Sequence, residues 1–96
     1  MYIKIHKKLG REVIAVCDED LIGKVLDDGE IHFIISEGFY KGEIKTEKEA
    51  EEILVNAVNI NLVGRESITL ALKLKIIEEE SIIKIKGVPH AQSLIL

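Results

Sequence analysis

The stretch YIKIHKKLGREVIAVC, residues 2–17, decides how the fold begins. In its first part isoleucine alternates with basic residues, which is the period of a strand with one buried face. Leu9-Gly10-Arg11 supplies a turn, and residues 12–17 form an apolar stretch that can return beside the first strand. These residues therefore predict a β-hairpin that opens the chain.

The clearest helix signal begins at Thr46. Thr46 and Glu49 have the spacing of a capping box, in which each side chain satisfies a backbone N–H at the start of a helix. Apolar residues then recur on one helical stripe: Ala50, Ile53, Leu54, Ala57 and Val58. We predict that Asn59 to Asn61 closes this helix and that residues 61–64 form a short extended piece.

A second helix is predicted from Ser67, as its N-cap, to about Ile77. It is apolar nearly all round, apart from Thr69, Lys73 and Lys75. A helix of this kind is buried on two sides. Either loops of the same chain or another subunit would cover the second side, so residues 67–77 are a candidate contact for a homo-oligomer.

Short strands and turns fill the rest of the chain. Asp18-Glu19-Asp20 starts a turn or a helix, and Leu21 to Leu26 is predicted to form one or two helical turns. The other predicted segments are a strand at 30–35, an aromatic loop at 37–43, a strand at 81–86, a loop at 87–92 and a C-terminal strand from 93. Five or six short strands with two helices predict one α+β domain, residues 1–96, in two layers with a mixed, mainly antiparallel sheet.

The composition is that of a folded protein, with 96 residues of which 47% are hydrophobic and 31% charged. No stretch approaches the ~18 apolar residues of a membrane span, and residues 1–8 lack the apolar core of a signal peptide. The single Cys17 cannot form an internal disulfide. We therefore expect a soluble cytoplasmic protein with no membrane partner. Abundant Ile, Lys and Glu are typical of thermophiles, and AT-rich codon usage produces the same excess of Ile and Lys.

The net charge of −4 is unevenly distributed. Residues 1–11 carry four bases and no acid, whereas residues 12–52 carry thirteen acids and four bases. An acidic chain is a poor general ligand for duplex nucleic acid, because affinity comes mainly from neutralising phosphates. A local basic face is still compatible with RNA. Its candidate residues are the outward side chains of two predicted strands: Lys4, His6, Lys8, Lys84 and Lys86.

The predicted loop at 87–92 concentrates residues with special properties. Gly87 and Pro89 bend the chain, while His90 and Gln92 project to the same side if the chain is extended. Near neutral pH, His90 can act as a base, a ligand or a hydrogen-bond donor. The alternative is a turn whose His and Gln satisfy nearby backbone groups. This loop is the first candidate for a functional site.

Weaker candidates are Cys17, Asp18 and Tyr40. Cys17 and Asp18 end a strand, and with a distant His they have the composition of an activated nucleophile or of a metal site. A lone Cys at a strand end is more often a small buried hydrophobe. Tyr40 lies in an aromatic loop that is suited to stack on a base or to close over the core. Recognised metal, nucleotide and hydrolase motifs are absent, so the sequence predicts neither a metal nor a cofactor.

Three segments together resemble an archaeal family, the domain of unknown function 424. They are Val16-Cys17-Asp18 with Gly23-Lys24 downstream, Phe39-Tyr40-Lys41-Gly42-Glu43, and Gly87-Val88-Pro89-His90-Ala91-Gln92. The resemblance covers essentially the whole chain, and the last segment is its most specific part. It implies an archaeal cytoplasmic protein and supplies no activity, cofactor or catalytic residue.

Three functions stay open at this point. A binding module for RNA, for part of the translation apparatus or for another protein would use the basic face, with Tyr40 and His90 as specific contacts. An oligomeric scaffold would use residues 67–77 and the apolar C-terminus. A small enzyme would need His90, Cys17 and Gln92 to converge, with Asp18, in one concave site. The binding module is the first hypothesis, and no catalytic residue is assigned.

Overall fold

The protein is described from a computed structural model, which covers residues 1–95. These residues form a six-stranded mixed sheet, a separate two-stranded sheet and a few short helices, so the α+β class is confirmed. The strands are β1 Tyr2–Lys8, β2 Arg11–Cys17, β3 Val25–Asp27, β4 His32–Ile34, β5 Glu43–Ile44, β6 Asn59–Val63, β7 Ile83–Ile85 and β8 Val88–Leu94. The α-helices are α1 Glu37–Tyr40, α2 Glu47–Leu54 and α3 Arg65–Lys73, and 3₁₀ turns lie at Glu19–Leu21 and Glu79–Ser81.

The large sheet has the strand order β5-β1-β2-β6-β8-β7. The predicted opening hairpin is confirmed, with β1 and β2 paired from Tyr2 opposite Cys17 to Lys8 opposite Arg11. Its turn residues Leu9 and Gly10 both have positive φ, 52° and 77°, as a two-residue type I′ turn requires. In the middle of the sheet β2 and β6 run parallel, whereas the other neighbouring strands are antiparallel.

The two faces of the sheet are covered differently. On one face, buried residues of α2 and α3 pack against inward side chains such as Ile14, Val16 and Leu62. On the other face, residues 19–40 form a small layer over Ala15, Cys17 and neighbouring residues. No helix within residues 1–95 is long and apolar enough to cross a bilayer.

Several predicted boundaries are wrong, because long-range pairing overrides local signals. Of residues 21–26, Leu21 ends the 3₁₀ turn and residues 25–26 begin β3, so no further helical turn forms there. The aromatic loop at 37–43 contains the helix α1 and the start of β5. Residues 59–63 form the central strand β6, so the helix end predicted at 59–61 is wrong and the extended piece predicted at 61–64 is confirmed in part. Of the predicted loop at 87–92, Gly87 lies in the turn between β7 and β8, whereas residues 88–92 belong to β8, which is paired with β7 and with β6.

The two predicted helices have different outcomes. The capping box at Thr46 and Glu49 is confirmed in full, since both reciprocal hydrogen bonds are present. The second helix begins at Arg65 and ends at Lys73, so Ser67 is not its N-cap. Its apolar side chains are buried or partly buried within the chain, and no large hydrophobic residue of 67–77 is among the exposed ones. These residues therefore do not form an exposed apolar interface.

The N-cap residue of α3 is Gly64, which has no side chain to cap the helix, and the buried Asp18 carboxylate supplies the capping hydrogen bonds instead. Its Oδ2 accepts from the backbone N–H of Glu66 at 2.9 Å, and its Oδ1 accepts from the N–H and the hydroxyl of Ser67, each at 2.8 Å. The first N–H groups of a helix have no partner within the helix, and they carry its positive dipole end. Asp18 thus joins the end of β2 to the start of α3.

Replacing Asp18 with Ala should destabilise the protein more than replacing Thr46 with Ala. Asp18→Ala leaves buried donors of α3 without an acceptor, which costs about 2–4 kcal/mol of unfolding free energy. Thr46→Ala removes an exposed cap of α2 and costs about 1 kcal/mol. Urea denaturation followed by circular dichroism measures both. An equal or smaller loss for Asp18→Ala would contradict this account of α3.

Candidate functional site

Part of the sheet face that lies opposite α2 and α3 is left uncovered by residues 19–40. Alternation along the strands, together with the observed registers, directs a set of exposed and half-exposed side chains to this part. We call it the open face, and its residues are Lys4, His6, Lys8, Arg11, Val13, Asn59, Asn61, His90, Gln92 and Leu94. None of them is acidic, so the open face carries only positive and neutral groups.

Two basic residues of the open face hold the neighbouring helix α1 in place. The Lys4 ammonium donates to the carbonyl of Gly38 at 2.7 Å. His6 Nε2 lies 2.8 Å from the carbonyl of Phe39, and its ring stacks on the Phe39 ring at 4.7 Å between centroids. Because a carbonyl only accepts, His6 Nε2 carries the proton in this contact. Lys4 still contributes its charge to the surface.

The predicted basic face across two strands is wrong. β1 and β7 are separated by three strands, which places them about 19 Å apart. Lys84 is also directed to the opposite side of the sheet, where it lines a depression with Arg65 and Thr69 of α3. Lys86 lies in the β7–β8 turn with positive φ. Sequence periodicity predicted which lysines of each strand point outwards, but it did not predict which strands are neighbours.

Lys4, His6 and Lys8 of β1 do lie on one face of the sheet, and Arg11, which the sequence analysis did not include, lies on the same face. Lys8 is paired with Arg11 across the opening hairpin, so both side chains are directed to the same face. Neither side chain forms an ion pair with another residue of the described chain. Arg11 was assigned to the turn, and its place as the first residue of β2 depends on the two-residue turn at Leu9 and Gly10.

His90 lies on β8 with one ring nitrogen occupied and the other available. Its Nδ1 is 2.8 Å from the carbonyl of Leu62, so Nδ1 carries the proton and Nε2 keeps its lone pair. Nε2 has no hydrogen-bond partner within residues 1–95 and is not among the buried unpartnered atoms, so it reaches solvent. The ring of Phe33 packs against one side of the His90 ring, with 4.8 Å between the two ring centroids.

Asn61 and Gln92 lie beside each other on the open face. They are directly paired across β6 and β8. The hydroxyl of Tyr40 donates to Asn61 Oδ1, while Gln92 is exposed. Tyr40 itself is buried, and burial raises the pKa of its phenol. Tyr40 therefore acts as a buried support for Asn61 and does not present its ring to solvent.

Cys17 and Asp18 do not join His90 in one site. Cys17 is 0% exposed, and burial next to Asp18 raises the pKa of its thiol to about 12. A protonated thiol without access to solvent is neither a nucleophile nor a metal ligand. Both carboxylate oxygens of Asp18 accept hydrogen bonds from the start of α3. Residues 1–95 contain no cluster of three His, Cys, Asp or Glu side chains that fits a metal ion.

The predicted functional loop is divided between two places by the alternation of β8. Gly87 and Pro89 line an open cleft of about 330 Å³ at the carboxyl ends of β2 and β6, together with Asp20, Arg65 and Lys86. His90 and Gln92 are directed to the open face instead. The cleft is mixed in charge, because the carboxylates of Asp18 and Asp20 line it together with the basic groups of Arg65 and Lys86. The open face therefore brings together more of the candidate groups.

Two comparisons with other proteins bear on the identity of the chain. The model of a family described as "Protein of unknown function (DUF424)" matches residues 6–96. The chain belongs to the DUF424 family. The resemblance carried by the three sequence segments is thereby confirmed.

A solved structure is similar to this DUF424 chain over almost its full length. It is the crystal structure of an uncharacterized conserved protein from Methanopyrus kandleri, with a TM-score of 0.86 and 31% identity. The match covers 99% of this chain and 90% of that one. No curated protein matches. Neither match carries an activity, so a functional proposal depends on the geometry of the chain itself.

The ionisation of His90 gives a direct test of this geometry. Burial lowers the pKa of the His90 imidazole below 6.5, because the charged form loses solvation. The folded state thus favours the neutral ring, and its contribution to stability is present above pH ~6.5 and lost as the pH falls towards the folded pKa. Nitrogen-15 NMR should show the proton on Nδ1 at neutral pH and titration below 6.5. His90→Phe should remove this part of the pH dependence of stability. A ring that titrates above 6.5, or that carries its proton on Nε2, would contradict the structure.

Proposed function

We propose that this protein is a small cytoplasmic binding module that holds single-stranded RNA on the open face. One observation carries the proposal: within residues 1–95, strands β1, β2, β6 and β8 direct cations and neutral amides, and no carboxylate, to one sheet surface. The chain as a whole has a net charge of −4 and repels a polyanion, so a surface without carboxylates is where a polyanion can bind. Affinity for nucleic acid comes mainly from neutralised phosphates.

The chemistry of the open face is divided along the sheet. Lys8 and Arg11 lie together at the end of the opening hairpin, where no residue of 1–95 pairs with either charge. Asn59, Asn61 and Gln92 present amides further across the sheet. A ribose-phosphate chain that contacts the hairpin end with its phosphates can therefore place its bases over the amides.

A single strand suits this surface better than a duplex. Sheet surfaces bind single strands because unstacked bases can be laid out flat and contacted on their edges and rings. The aromatic rings of Phe33 and Phe39 border the open face through His90 and His6. With two unpaired cations, we expect modest affinity and a slope of log affinity against log salt of about −1.4, from about −0.7 per neutralised phosphate.

Reversing the charge of Lys8 and Arg11 should weaken RNA binding. The double variant Lys8→Glu, Arg11→Glu removes two phosphate contacts and repels the strand, so the dissociation constant should rise at least tenfold at low salt. Fluorescence anisotropy with a labelled eight-nucleotide RNA at several salt concentrations measures both the affinity and the salt slope.

The double variant Lys48→Glu, Lys75→Glu is the matched control. It changes the net charge by the same amount at exposed positions on α2 and after α3, which lie on the helix side of the sheet. This control should retain most of the affinity. Equal losses in the two double variants would show that only net charge matters, and a salt-independent affinity would remove phosphate contact from the proposal.

A further inference from the structure

Two polar side chains on the open face are each fixed by a contact from behind. The Oδ1 of Asn61 accepts from the buried Tyr40 hydroxyl, so its amide NH₂ is turned outwards as a donor. The Nδ1–H of His90 donates to the Leu62 carbonyl, so its Nε2 is turned outwards as an acceptor. In both residues the supporting contact fixes which kind of hydrogen-bonding group faces solvent.

These two groups lie close to each other on neighbouring strands. Asn61 is paired with Gln92, and Val63 with His90, so Asn61 and His90 are diagonal neighbours on one face. Such positions are about 7–8 Å apart. The Phe33 ring contacts His90, and it meets the Tyr40 ring edge to face at 6.4 Å. The pair therefore lies beside an aromatic wall, at the place where the small layer ends.

We propose that Asn61 and His90 form a subsite that reads the edge of one unpaired nucleobase. A base edge that offers an N–H next to a carbonyl oxygen, as uracil does, satisfies both groups at once. This assignment rests on the proposed binding of single-stranded RNA and adds the part of the nucleotide that is recognised.

The neutral acceptor atom of His90 allows the subsite to distinguish a nucleobase from a phosphate. A phosphate diester offers only acceptor oxygens, so it cannot bind the lone pair on Nε2. A base N–H can bind that lone pair. Within residues 1–95 the elements packed around the ring contribute Phe33, Leu62, Val63 and Ile83, none of which is charged. On the same side of the sheet, burial raises the pKa values of Tyr40 and Cys17, so both groups are neutral. Neutral His90 and the outward amide of Asn61 thus complement a base, while Lys8 and Arg11 complement phosphates.

The test compares two oligomers that share a backbone. One is an eight-nucleotide oligouridylate, and the other is an abasic ribose-phosphate oligomer of the same length. The wild-type protein should bind the oligouridylate about tenfold more tightly, which is the discrimination that one well-placed pair of hydrogen bonds gives. Fluorescence anisotropy at one fixed salt concentration and pH 7.5 measures both affinities.

Variants assign that preference to the two residues. His90→Phe keeps a flat ring and removes the acceptor, so it should reduce the preference to below threefold while leaving binding of the abasic oligomer unchanged. Tyr40→Phe leaves the open face chemically intact and frees the Asn61 amide to rotate, so it should reduce the preference partly. If His90→Phe does not fold, the reduced preference of Tyr40→Phe for the oligouridylate tests the subsite instead. His32→Phe is the matched control, because His32 is exposed on β4 and paired with Asp27.

The outcomes separate this subsite from the proposed function. Equal affinity of the wild-type protein for the two oligomers would overturn the subsite and leave phosphate binding by Lys8 and Arg11 standing. A loss of affinity for both oligomers in His90→Phe would also overturn it, since the ring would then act on the backbone or on the fold. Absence of binding to either oligomer would overturn the proposed function together with the subsite.

Discussion

The contact between the Asp18 carboxylate and the start of α3 is the constraint on which the arrangement of the sheet depends. Asp18 follows β2, and α3 follows β6, so the contact joins the parallel strands β2 and β6 at their carboxyl ends. Gly64 is required there, because a Cβ at this residue would lie 2.2 Å from the Asp18 carboxyl carbon and its φ is 109°. A charged acceptor inside the protein is stable only when donors of this kind surround it.

The position of α3 leaves the two faces of the sheet with different roles. With α2, it covers one face and buries the larger apolar cluster. The small layer of residues 19–40 covers only part of the other face, and it is held there by Lys4, His6 and Tyr40. Some polar side chains of that face therefore serve as supports. The remaining ones form a fixed pattern of donors, acceptors and cations, which is the property that a recognition surface needs.

Local signals in the chain predicted what depends on local interactions. The opening hairpin and the capping box at Thr46 involve residues close in sequence, so alternation and spacing were sufficient. The error at 87–92 has the opposite origin. Gly87 and Pro89 are typical of a loop, and Gly87 does lie in a turn, yet residues 88–92 lie between β6 and β7 and are paired with both strands. The strand β6 was predicted only in part, as the extended piece at 61–64, although Asn59, Ile60, Asn61 and Leu62 alternate as a half-buried strand does.

The sequence by itself therefore determined the α+β class, the first hairpin, the capped helix and the family to which the chain belongs. Only the tertiary structure decided which strands are neighbours, that Arg11 replaces Lys84 beside Lys8, and that Asp18 stabilises α3. It also decided which atoms of His90 and Asn61 face solvent. The physical reason is that these properties arise from contacts between residues far apart in the chain, such as Asp18 with Ser67 or Leu62 with His90. Periodicity records which face of an element is buried, but it does not record the partner that covers it.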